Sequence, residues 1–187
     1  MKRGCADGVA ATVRPGYVHW PGVLGLGVAA WQVVAGASVE GTAITVAAAA
    51  SCYLAAAAVG RRWAAWAGVV AASAVVVLSE LAGAPWWVGL LGYATVLVAV
   101  GLSRAATRRA SAEQGLALAG FGGLAVITLT GESPIWLAVA GLTLASHALW
   151  DLRHWRRDDV VPRSMAEFCI LLDVPLGCAA ILVALAG

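Results

Sequence analysis

Long apolar runs alternate with short polar breaks along this chain. Breaks at charged clusters, Pro and Gly mark out seven runs: Tyr17–Gly36, Gly41–Gly60, Trp63–Gly83, Trp86–Leu102, Gly115–Thr130, Ile135–His154 and Met165–Ala186. A helix needs about 20 apolar residues to cross the hydrocarbon core of a bilayer. Most of the runs meet that length, and the fourth and fifth are short. The pattern predicts an all-α integral membrane protein, a compact bundle of seven transmembrane helices. Residues 1–16 form a cytoplasmic N-terminal segment and residues 17–187 a single transmembrane domain. Met1-Lys2-Arg3 looks like the start of a signal peptide. A polar stretch separates it from the first run, however, and no Ala-x-Ala cleavage pattern follows that run. It therefore reads as an uncleaved helix.

The charges give the bundle a direction. The twelve basic residues lie before the first run or at the breaks between runs two and three, four and five, and six and seven. The alternate breaks carry no Lys or Arg, and the charges on that side are the acids Glu40, Glu80 and Glu132. Basic loops stay in the cytoplasm, so the N-terminus is expected inside and the C-terminus outside, in a plasma or bacterial-type inner membrane. A miscounted helix would scramble this pattern.

Composition agrees. The chain is 61% hydrophobic and only 12% charged, where soluble domains carry roughly 25% charged residues. The lipid bilayer is thus the first partner, and a further copy or complex subunit remains open. The basic residues are scattered between spans rather than gathered on one face, which argues against nucleic acid. Cys5, Cys52, Cys169 and Cys178 form no CxxC pair, and no disulfide is expected.

Gly and Pro at 83–85 and 131–134 predict tight hairpins. Pro85, Trp87, Gly92, Arg104 and Arg108 recur as Pro134, Trp136, Gly141, Arg153 and Arg157, which reads as shared hairpin grammar rather than a true repeat. Gly22, Gly25, Gly89, Gly92, Gly120 and Gly123 are expected to let helix backbones approach closely. Most tryptophans sit near run ends, as an interfacial aromatic belt does.

Ionisable groups inside a bilayer are costly and point to function. The sixth run ends His147-Ala-Leu-Trp-Asp151-Leu-Arg-His154. Spacings of four and seven residues place the two imidazoles and the carboxylate on one helical face. This residue set matches a two-histidine, one-carboxylate metal site, a proton relay, or a histidine held by an acid. Asp173 on the seventh run falls at a depth similar to that of His147. His19, at the start of the first run, and Glu167 lie on the same cytoplasmic side. The candidate metal ligands are His147, Asp151, His154, Asp173 and His19, for a divalent ion such as Zn or Fe. The candidate catalytic residues are His147, Asp173 and Asp151. The alternative is that Asp151, His154 and His19 are interfacial residues solvated at the headgroups. That alternative does not extend to His147 and Asp173, which are too deep to snorkel.

The expected function is a membrane-embedded enzyme acting on a lipid-soluble or amphipathic molecule at the cytoplasmic leaflet. A small proton-coupled transporter and a non-catalytic subunit of a membrane complex are the alternatives. Known seven-helix families do not fit. A retinal protein needs a Schiff-base lysine in its last helix, and the only lysine is Lys2. The membrane hydrolases with three zinc-binding histidines carry HxxxH in the last helix, and Met165–Ala186 has no histidine.

Overall fold

The computed structural model describes residues 19–186. The proposed N-terminal segment, Tyr17, Cys5 and the C-terminal Gly187 lie outside them. Among the described residues there are seven α-helices, one 3-10 turn and no strand: α1 Trp20–Gly36, α2 Val39–Val59, α3 Ala64–Leu81, α4 Trp86–Ser103, α5 Arg108–Ile127, α6 Pro134–Arg157 and α7 Arg163–Ala186. Six of them, α2 to α7, are long and apolar enough to cross a membrane. The described part of α1 has 17 residues, about 26 Å at 1.5 Å per residue.

Local signals set the helix ends. Ser38 caps α2, its hydroxyl accepting from the Gly41 N–H at 3.0 Å. Gly60 ends α2 with φ of 71°, and its N–H reaches back to the Ala56 carbonyl. Pro134 opens α6 at a position where its missing N–H costs nothing. The fifth helix departs from expectation, starting at Arg108 rather than Gly115. Arg, Ala, Glu and Gln are good helix formers, so the backbone stays helical where hydropathy already falls.

The alanine-rich α2 runs through the middle, most of it buried, with α3, α4, α5, α6 and α7 packed around it. Ala-rich sequence makes a thin helix that several neighbours can approach. α6 packs against α7, and α1 packs on the outer side of α7. Large apolar side chains point outward from the ring, among them Trp31, Val34, Leu81, Leu116 and Leu185, each over 70% exposed. Water would not tolerate such a surface, and lipid does.

The close crossings are not all where the glycines predicted. Gly25 abuts the α7 backbone at Phe168 and Leu172. Gly141 and Gly177 bring α6 and α7 together so closely that a Cβ on either would lie 2.6 Å from the other's carbonyl oxygen. Gly92, Gly120 and Gly123, expected at crossings, face open space with nothing within 4 Å of such a Cβ.

One end of the bundle gathers the basic loops. Arg62 pairs with Asp158 and donates to the Val161 carbonyl, and Trp66 donates to Ser164 at 3.3 Å. The Arg62 hydrogen bond holds the exposed Asp158 carboxyl below its ordinary value. The opposite end brings Glu40, Glu80 and the loops at Gly83 and Gly131 together.

Candidate functional site

Two clusters of buried polar side chains link the helices. The first joins α2, α6 and α7. His147, Asp151 and Asp173 have no accessible surface. His147 Nδ1 lies 2.8 Å from Asp173 Oδ2 and 3.4 Å from Asp151 Oδ2. One donor atom from each residue falls within 4.8 Å of the others, so the group could hold a metal ion. Asp151 is one turn beyond His147 on α6. Asp173 reaches them because the Gly141–Gly177 crossing draws α7 in. His147 and Asp173 each lie ten residues from the basic end of their helices, about 15 Å along the axis.

Tyr53 of α2 completes the network. It is 1% exposed, and its hydroxyl donates to Asp151 Oδ1 at 2.7 Å. The Tyr53 and Phe121 rings meet the His147 imidazole edge to face, with centroids 5.8 and 4.9 Å away. Three polar atoms here have no hydrogen-bond partner among the described residues: His147 Nε2, Asp151 Oδ2 and Asp173 Oδ1. No arginine among the described residues forms an ion pair with either aspartate. Two carboxylates and a neutral imidazole carry a formal charge of −2. Burying that charge unpaired is expensive, so the centre needs protons or a cation.

The second group is complete by itself. Trp150 Nε1 donates to Gln114 Oε1 at 3.0 Å, and Gln114 Nε2 faces His154 Nε2 at 3.1 Å. His154 Nδ1 lies 2.8 Å from the Trp150 carbonyl. A carbonyl only accepts, so Nδ1 carries the hydrogen. The amide nitrogen of Gln114 then donates to Nε2. Both nitrogens of His154 are committed and its imidazole is neutral.

This corrects the expected ligand set. His154 shares a helical face with His147 but is taken by α5, and the structure does not bring it to the centre. His19 is not there either: its Nδ1 pairs with Glu167 at 2.7 Å at the basic end, and its side chain is 71% exposed. What assembles is one histidine with two carboxylates. Asp151, open to an interfacial reading, is fully buried. In the sequence, Tyr53 stands in a short polar step, Ser51-Cys52-Tyr53, inside an otherwise apolar run. Gln114 precedes the fifth apolar run in the sequence and lies within α5 in the structure, and Phe121 carries no polar signal at all.

Comparison with protein-family models, with curated proteins and with solved structures finds no match to this chain.

Proposed function

We propose that this chain is a membrane-embedded enzyme acting on a lipid-soluble or amphipathic substrate, with a divalent ion, Zn²⁺ or Fe²⁺, held by His147, Asp151 and Asp173. In this reading it spans the membrane seven times. The basic end and the N-terminus face the cytoplasm, and the C-terminus faces outward.

The unsatisfied state of the centre supports this most directly. In the same bundle His154 has every polar atom paired, whereas His147, Asp151 and Asp173 leave three buried atoms unpaired. One divalent ion would neutralise both carboxylates and fill their open valences. Ligands about 2.0–2.2 Å from an ion stand roughly 3 to 3.5 Å apart at the usual angles. The 2.8 Å His147–Asp173 contact is a hydrogen bond that an ion would replace, and one ligand atom from each of the three residues already lies within 4.8 Å of the others. Bound there, the ion would supply Lewis-acid polarisation or a more acidic bound water. Tyr53 would fix the orientation of Asp151 as an outer partner.

Enclosure favours a second reading, a proton-coupled carrier using the same residues as a relay. None of the three residues is accessible, and two sizeable cavities are lined by other residues.

The test is metal content by mass spectrometry of purified wild type, His147→Ala and Asp173→Ala. Near one metal per chain in wild type, lost in both variants, is expected. No metal in any of them would remove the metal site and leave the relay, which proton-dependent uptake in proteoliposomes would then probe.

A further inference from the structure

A second built feature lies on the far side of α2 and α5 from the His147 centre. α2, α4 and α5 line an apolar cavity of about 670 Å³, with Ala47 and Ser51 on the α2 side. Ala94, Ala119 and Gly123 keep its walls low, and a Cβ at Gly123 would meet nothing within 4 Å. Its lining runs from Trp86 to Val98 on α4 and from Gly115 to Ile127 on α5. Each is twelve helical steps, about 18 Å. One leaflet of hydrocarbon is about 15 Å deep, half the bilayer core, so the groove has the length of a single lipid tail.

The two ends of the groove differ. Toward the basic loops it closes, where a Cβ on Gly115 would meet Val98 at 3.4 Å and one on Gly101 would meet Ala58 at 3.2 Å. At the other end a second cavity of about 590 Å³ adjoins it, and Trp86 and Trp87 line both. This outer cavity carries the carboxylates of Glu40 and Glu80 and no basic residue. Neither carboxylate enters an ion pair among the described residues.

We propose that the two cavities form one binding site for a single-chain amphiphile with a cationic nitrogen head. The tail lies in the α4–α5 groove, and the ammonium sits between Glu40 and Glu80 beside the two indoles. Unpaired carboxylates attract a cation and repel a phosphate or sulfate head. Indole faces favour an alkylated ammonium, which sheds water easily. The apolar groove supplies the tail with a wall of protein in place of bulk lipid. The site stands independently of any chemistry at His147.

The test uses the full chain in nonionic maltoside micelles, with hexadecyltrimethylammonium and hexadecyl sulfate as paired probes below their own micelle concentrations. Saturable binding of about one ammonium amphiphile per chain is expected, with the sulfate at least about tenfold weaker. Replacing both acids (Glu40→Gln with Glu80→Gln) is expected to weaken ammonium binding about fivefold or more. Gly123→Leu projects into open space and improves helix propensity, and is expected to weaken binding by filling the groove. Ala119→Leu serves the same purpose if Gly123→Leu unfolds. Tetramethylammonium, which lacks a tail, is expected to bind far more weakly. Equal binding of ammonium and sulfate, or unchanged affinity in folded acid or groove variants, would overturn the proposal.

Discussion

Tyr53→Phe removes one oxygen atom from the protein and leaves the ring that packs on His147 and His154. The missing hydroxyl is the partner of Asp151 Oδ1. Asp151 Oδ2 already lacks a hydrogen bond, so the variant leaves a fully buried carboxylate with neither oxygen hydrogen-bonded. A hydrogen bond to a charged group contributes about 1.5–3 kcal/mol, and the cation-free variant is expected to lose stability in that range. Cation binding should suffer as well. Outer partners that orient a ligand are typically worth 10- to 100-fold in affinity, because a free carboxylate rotates away from the geometry the ion requires.

Both effects are readable in one assay, thermal unfolding in micelles with and without Zn²⁺. At a cation concentration of 100 Kd the wild type should gain about 2.7 kcal/mol. A thirtyfold weaker variant at the same concentration should gain only about 0.9 kcal/mol. The lost increment corresponds to about 4–7 °C for a chain of this size. Gln114→Leu is the control: it breaks the Trp150 and His154 network, lowers stability, and leaves the zinc-dependent gain intact. If Tyr53→Phe matched wild type in zinc-dependent gain, Tyr53 would be a packing residue only, and the orientation argument would fail.

Three further outcomes follow from the packing and the charges. Gly177→Val would place a Cβ 2.6 Å from the Gly141 oxygen and 2.9 Å from the Ala145 nitrogen. It should push α6 from α7 at a cost of about 1–3 kcal/mol, and metal content should fall with it; unchanged metal would mean that the crossing does not position Asp173. Arg62→Gln should destabilise the fold at every pH through the lost bonds to the Val161 carbonyl, and further where Asp158 is ionised. The folded carboxyl lies below its ordinary 3.8, so the pair's contribution is complete above that value and disappears as pH falls through the lower folded value. The gap between variant and wild type should narrow in acid to the part carried by the Val161 bonds, and a gap of the same size in acid and at neutral pH would refute the pairing. In a cysteine-free background, Glu132→Cys should react with an impermeant maleimide added outside intact cells; labelling only after lysis would reverse the proposed orientation.

The helices were legible in the sequence because crossing a bilayer would impose length and apolarity on each one separately, without reference to neighbours. Helix ends outside the hydrocarbon follow a different rule, backbone propensity, and so Arg108–Gln114 could be misread as a loop while folding as the first two turns of α5. The meeting of His147 with Asp173 was foreshadowed by counting depth along two consecutive helices, since a short connection keeps them adjacent. The fate of His154 was not. Helical spacing correctly put it on the His147 face, but a face is wide enough for two neighbours, and α5 takes one turn of it while α7 takes another. Which histidine stays open then depends on Gln114, 40 residues from His154 in sequence, and on Tyr53, 98 residues from Asp151. Neither partner has a local signature, because Gln and Tyr in a helix look alike whether they face lipid headgroups or a buried acid. The glycines were ambiguous for the same reason. Gly141 and Gly177 press backbones together, while Gly123 leaves a groove open, and only the neighbour across the gap separates the two uses. A centre such as this one is therefore specified by contacts between helices, and its assembly depends on the α6–α7 crossing as much as on the ionisable residues themselves.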